Sequence, residues 1–144
     1  MITFTTYGTW LQGDNRGYVK NGQILKKNYK LEKSNKQNLK TNPVRLTTEQ
    51  KKIIYQAILE KAKQIGQKIL ALYIATNHVH IVAEYIPKPI YIIARHYKIC
   101  GEQALKTRGF AGKFWTKGFD RRFCYSQEEI DRRVKYVNSH FKNT

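Results

Sequence analysis

Apolar residues recur in this chain with two different periods, and the switches between them mark out its elements. Ile2 to Thr9 is rich in Thr, Tyr and Phe and predicts a strand. Thr47, with Gln50 three residues on, forms a capping box, and Ile54, Ile58, Ala62 and Ile65 follow at helical spacing as far as Gly66. Ile69 to Thr76 and His78 to Ile86 predict two strands joined by a tight Thr-Asn turn. A second helix is expected over Lys88 to Lys106, with Pro89 tolerated in its first turn. Lys113 to Trp115 and Arg121 to Tyr125 predict a late hairpin around Lys117-Gly118 that Tyr125 closes, and Ser126 with Glu129 caps a last helix running to about Lys142. The order β, α, β, β, α, β, α predicts an α+β sandwich of ferredoxin-like type, an antiparallel sheet with helices covering one face.

Residues 12 to 46 show no sustained periodicity. They carry turn signals at Gly13 to Gly17 and at Asn21-Gly22, then a Lys/Asn-rich stretch with seven lysines and one acid, Glu32, between residues 20 and 40. A loop of this length, about 18–45, is uncommon in a compact domain unless it binds something or is a solvated insertion. The 144 residues predict one domain. Cys100 and Cys124 lack metal-ligand spacing and the density of a secreted scaffold, so free thiols in a reducing cytoplasm are expected. The longest apolar runs are too short and interrupted to span a membrane, and nothing at the N-terminus resembles a signal peptide.

Charge narrows the partner class. Lys and Arg total 27 against 10 acids, a formal net charge of +17. A field of that sign favours a polyanion, and phosphate contacts supply most non-specific affinity, so nucleic acid is the expected partner, with a merely cationic protein as the alternative. No long helix sets a basic face against a bulky apolar one, which argues against membrane surfaces.

Two segments carry candidate chemistry. In Asn77-His78-Val79-His80 the histidines stand two apart on a predicted strand, so both point to one face with Cα atoms roughly 6.6 Å apart and can converge on one cation, or simply sit on a solvated face. Glu84 shares that face if alternation holds, further along the strand. On the last helix Ile130, Val134, Val137 and Phe141 make an apolar stripe, while Glu129, Arg133, Tyr136 and His140 fall on another. Tyr136 is thus one turn from His140, which presents its phenol beside any metal His140 helps to hold; a surface Tyr with a solvated His is the alternative.

Asn77-His78-Val79-His80, then Phe114-Trp115-Thr116-Lys117-Gly118-Phe119-Asp120-Arg121-Arg122-Phe123, then a late helix with Arg133-Val134-Lys135-Tyr136-Val137, resembles the HUH single-tyrosine transposases. Thr6-Tyr7-Gly8-Thr9-Trp10-Leu11-Gln12-Gly13-Asp14-Asn15-Arg16-Gly17 is similar to the opening of a subgroup close to the REP-associated tyrosine transposases. The resemblance covers nearly the whole chain apart from the Lys-rich loop. It implies an HUH endonuclease fold and a metal-dependent single-stranded DNA nickase and strand transferase, acting at hairpin ends. His78 and His80 carry over as metal ligands, Tyr136 as the nucleophile, and His140 stands where several relatives place Gln as a third ligand. The implied cofactor is Mg²⁺ or Mn²⁺, although imidazoles also accept Zn²⁺ or Ni²⁺. A homodimer is compatible, with the Tyr helix serving either its own His pair or a partner's.

Other residues compete for roles in that chemistry. Tyr97 beside His96 is the main rival nucleophile, and Tyr73 and Tyr85 are expected in or beside the core. Arg16, Arg121, Arg122, Arg132 and Arg133 are expected phosphate contacts, or else a solvated face. Trp10, Trp115 and Phe119 are expected either to stack unpaired bases or to pack in the core. A basic nucleic-acid-binding domain without catalysis, or a phosphodiesterase that forms no tyrosine adduct, are the competing readings.

Overall fold

The computed structural model of the chain describes residues 1–8, 18–20, 23–25 and 43–143. Along the chain these form β1 (Ile2–Thr5), β2 (Tyr18–Lys20), β3 (Gln23–Leu25), α1 (Thr48–Ile65), β4 (Ile69–Ile74), β5 (His78–Ala83), α2 (Ile90–Thr107), β6 (Asp120–Arg121) and α3 (Gln127–Ser139), with a 3₁₀ turn at His140–Asn143. Four strands build one open sheet in the order β4-β5-β1-β6, every neighbour antiparallel. The fold is therefore α+β. β2 and β3 pair separately, Lys20 opposite Gln23, inside a segment whose sequence predicts only loop. The Lys-rich stretch that follows, like Trp10 and Arg16, lies outside the described residues.

Local chemistry fixes the elements. The Thr47 hydroxyl accepts the Gln50 N–H at 3.2 Å while the Gln50 side chain accepts the Thr47 N–H at 2.9 Å, so α1 starts on the predicted capping box. It stops at Gly66, whose left-handed φ of 71° lets its N–H turn back onto the last carbonyls of the helix. Between β4 and β5 the chain turns in four residues, closed by Ala75 N–H on His78 O at 2.8 Å.

Strand alternation then sorts side chains onto two faces. Ile2 and Phe4, Leu72 and Ile74, and Val79 and Ile81 face α1 and α2 and join Ile54, Ile58, Ile93, Tyr97 and Leu105 in the main core. Fully burying each such side chain stabilises the fold by about 1.5–3 kcal/mol. The opposite face buries Ala71, Tyr73, Ala75 and Val82 beneath Val137 of α3. The expectation of helices on one face is thus corrected. β4 is apolar at both alternating sets of positions, so its second face also needs a cover, and the Val134–Val137 stripe supplies it.

The predicted late hairpin is also corrected. Trp115 bridges to Thr6, and Asp120 and Arg121 pair with Thr3 and Ile2, so both short segments run antiparallel along the same edge of β1. They form one interrupted edge strand from which 116–119 bulges out. Gly118 takes a φ of 88° there, and the Lys98 ammonium holds the bulge by donating to Thr116 O at 2.8 Å and Gly118 O at 2.9 Å. Tyr125 closes no hairpin: its N–H donates to the Glu129 carboxylate at 2.7 Å, just before Ser126 caps α3.

Cys100 and Cys124 are both free thiols. No helix among the described residues is long and apolar enough to cross a membrane.

Candidate metal centre and its cleft

The second face of the sheet is where the chemistry-bearing residues meet. β5 aligns His80 with Thr3 of β1, β1 aligns Thr3 with Asp120 of β6, and β4 places Tyr73 on the other side of His80. Paired residues in register share a face, so Tyr73, His80, Thr3 and Asp120 form one transverse row. His78 stands in the next row opposite Thr5. α3 crosses above them and brings Tyr136 and His140 down on the sheet.

The three imidazoles converge. One ring nitrogen from each of His78, His80 and His140 lies within 4.8 Å of the other two. Ring centroids are 4.6 Å apart for His78–His80, 5.2 Å for His80–His140 and 6.2 Å for His78–His140. Nitrogens bound at about 2.1 Å to one ion stand roughly 3.0–3.4 Å from each other, so the widest pair closes by about 1.5 Å on binding, within reach of a ring rotation.

Each ring is oriented through its Nδ1. His140 Nδ1 donates to Tyr136 O at 2.9 Å, and because a carbonyl only accepts, a proton sits on Nδ1 and Nε2 is the nitrogen left to face a metal. His78 Nδ1 donates to Asn77 Oδ1 at 2.8 Å in the same sense. His80 Nδ1 meets the Thr3 hydroxyl at 2.8 Å, a group able to serve either tautomer. Outer partners of this kind fix ligand orientation in metal sites. Burial, reinforced by the His78 and His140 rings, pulls the His80 imidazole down from 6.5 to about 3, so it is neutral and ligand-ready at physiological pH. The donor set thus fits a divalent cation. Three imidazole nitrogens match Mn²⁺ or Zn²⁺ better than Mg²⁺, which prefers oxygen.

Tyr136 sits against this cluster. Its ring centroid is 4.9 Å from that of His140 and 5.7 Å from that of His80, and the residue is 48% exposed, so the side chain is reachable from solvent. These contacts are made within one chain: the Tyr helix lies over its own His pair. A cleft of about 480 Å³ opens beside them, lined by Thr3, Thr5, Asn77, His78, His80, Asp120, Arg122, Arg133 and Tyr136. Arg122 Nε is 3.4 Å from the carboxylate of Asp120, two residues before it on the same wall of the cleft.

The structure separates the rival residues. Tyr97 is fully buried, donates its hydroxyl to Gln67 Oε1 at 2.5 Å, and is pushed by burial well above the usual phenol range. It is structural. Tyr73 is buried under the site, 5.0 Å from the His140 ring, whereas Tyr85, expected in or beside the core, is 88% exposed past the end of β5. Glu84 also lies past that end, exposed and outside the metal cluster.

Of the expected nucleic-acid contacts, Arg122 and Arg133 line the cleft, and Arg132 lines an adjoining groove. Arg121 does not reach the cleft. It pairs with Ile2, whose side chain joins the main core, so the pleat aims it to the other face. Trp115 is corrected from base-stacking candidate to core residue: it is buried, packs edge-on against Phe4 at 4.8 Å and donates its indole N–H to Lys98 O at 2.8 Å. Phe119 is half-buried and lines a separate cleft beside Lys98 and Lys117.

Thr3 and Asp120 are site residues that sequence reasoning missed. Thr3 had one local signal, a polar residue between Ile2 and Phe4 on a strand, but only the β1–β5 register reveals which histidine it serves.

No protein-family model matches the chain, and no curated protein matches it significantly.

Proposed function

We propose that the protein is a metal-dependent single-stranded DNA endonuclease and strand transferase of the HUH single-tyrosine type, a transposase-like enzyme acting at hairpin ends. The observation that carries this reading is the approach of Tyr136 to three converging histidines, the arrangement expected from the sequence resemblance. Two further features support it. The strand order β4-β5-β1-β6, reached through a strand–helix–strand–strand–helix–strand path, is the ferredoxin-like arrangement expected of an HUH fold. Arg122 and Arg133 flank the cleft with the charge a scissile phosphate needs.

In this reading His78, His80 and His140 hold a divalent ion, with Mn²⁺ favoured over Mg²⁺ by the donor set. Such an ion would supply Lewis-acid polarisation of a phosphate oxygen. Arg122 and Arg133 bind the neighbouring phosphates and hold the strand so that one phosphorus faces the Tyr136 oxygen. That oxygen forms a bond to phosphorus, the phenol gives up its proton, and the bond to the 3′ oxygen breaks, leaving a 3′-hydroxyl and a 5′-phosphotyrosyl link. Because the phosphoester is retained in the link, attack by another 3′-hydroxyl reverses the step and joins new ends without ATP.

The test is incubation of labelled single-stranded hairpin DNAs with the protein and Mn²⁺, followed by denaturing electrophoresis. The expected result is a protein–DNA adduct that disappears in Tyr136→Phe and with chelator. Binding without any adduct, across hairpins and metals, would support a nucleic-acid-binding domain without catalysis; cleavage without adduct would support a hydrolytic phosphodiesterase.

A further inference from the structure

A second groove, of about 470 Å³, continues from the metal cleft and shares Arg133 and Tyr136 with it. Its other lining residues are Phe123, Tyr125, Glu129 and Arg132. Two large aromatic side chains here remain in water after folding: Phe123 is 55% exposed and Tyr125 84%. Their ring centroids lie 6.5 Å apart with an interplanar angle of 43°, so they follow one another along the surface instead of packing face to face. The Arg121 guanidinium stands 5.9 Å from the Phe123 centroid.

An exposed aromatic pair is costly to keep unless something covers it. Arg132 and Arg133, which line the groove with the rings, set against the single carboxylate of Glu129 there, fit a polyanion with flat apolar faces. Glu129 is itself engaged, accepting the Tyr125 N–H at 2.7 Å. That bond, together with Ser126 capping α3, fixes the backbone from which the Tyr125 ring projects.

We propose that Phe123 and Tyr125, with Arg132 and Arg133 beside them, form a stacking platform that carries the bases of a single nucleic-acid strand along the flank of α3 to Tyr136. The proposal rests on the reading of the cleft as a single-stranded DNA site, and it adds the route by which the strand enters. Alternating ring faces and cations match a strand whose bases are unpaired and whose phosphates repeat. A duplex, its bases already stacked, offers the rings nothing.

The experiment is fluorescence anisotropy of a labelled oligothymidylate, and of a duplex of equal length, titrated with the full chain carrying Tyr136→Phe in the presence of Mn²⁺. In that background Phe123→Leu and Tyr125→Leu are each expected to weaken oligothymidylate binding on the order of 5- to 150-fold. Duplex binding, which runs on phosphate contacts, should change less than about twofold. Phe123→Trp and Tyr125→Phe should retain single-strand affinity. Unchanged oligothymidylate affinity in both leucine variants overturns the platform, as does an equal loss on duplex. Because no bond is cleaved in this assay, the platform stands or falls independently of whether an adduct forms with the wild-type chain.

Discussion

The Tyr136 carbonyl accepts the His140 Nδ1–H at 2.9 Å, and the same two residues meet edge-on through their rings at 4.9 Å. The proposed nucleophile therefore orients the third proposed ligand through its backbone while its side chain packs on that ligand's ring. The last turn of α3 and its C-cap, His140, supply both groups in a fixed relation, because residues four apart along a helix stack one above the other.

Metal binding should be measurable as stability. An ion that binds only the folded chain adds about 2.7 kcal/mol at a concentration one hundred times its dissociation constant. Thermal unfolding with Mn²⁺ or Zn²⁺ against chelator should show a raised midpoint for the wild type. The shift should vanish in the His78→Ala/His80→Ala double variant and shrink in His140→Ala. An equal rise in the double variant would remove the site.

Thr3 is expected to act through His80. Thr3→Val keeps the side-chain shape but takes away the oxygen 2.8 Å from Nδ1, and loss of such an outer partner typically lowers metal affinity about 10–100-fold. Calorimetric titration with Mn²⁺ should show that loss, and Thr3→Ser should restore most of it.

Acid should weaken the metal-free fold through His80. Unfolded, this imidazole titrates near 6.5; folded, near 3. Between those values the unfolded chain holds the extra proton, so the stability is fully present above 6.5 and is lost as pH falls through the window toward 3. Urea unfolding in chelator across this window should give a wild-type slope steeper than that of His80→Gln, by at most about 1.4 kcal/mol per pH unit. Parallel slopes would contradict the depressed imidazole.

Gly101 is buried where α2 packs against Ile54 and Trp115. A Cβ there would stand 3.4 Å from Trp115 Cζ2 and 3.5 Å from Ile54 Cγ2, so Gly101→Ala fits at ordinary contact and gains helix propensity. Gly101→Leu overpacks the same space and should cost about 1–3 kcal/mol, read as a lowered denaturation midpoint.

Local pattern revealed α1, the β4–β5 pair and α2: α1 carries its own capping box and left-handed Gly66, and the others carry runs of apolar residues bounded by a turn or a proline. The convergence of His78 and His80 was legible for the same reason: spacing on one strand fixes which face they share. What the sequence did not disclose depends on pairing between distant segments. Trp115 and Asp120–Arg121 look like hairpin arms until β1 is seen to offer them a common edge. The helix on the second sheet face follows from Ala71, Tyr73 and Val82, apolar positions that look redundant in a strand covered on one side only. Trp115, a stacking candidate from its aromatic ring, is explained by Phe4, a residue more than a hundred positions earlier in the chain.

α3 touches the sheet through a small apolar patch in which Val137 is its one fully buried side chain. The phenol and the third imidazole ride on that helix, while His78 and His80 stay on the strand beneath. On the proposed reading, Tyr136 and His140 are therefore placed over the His78–His80 pair together, through one small apolar contact of α3 with the sheet.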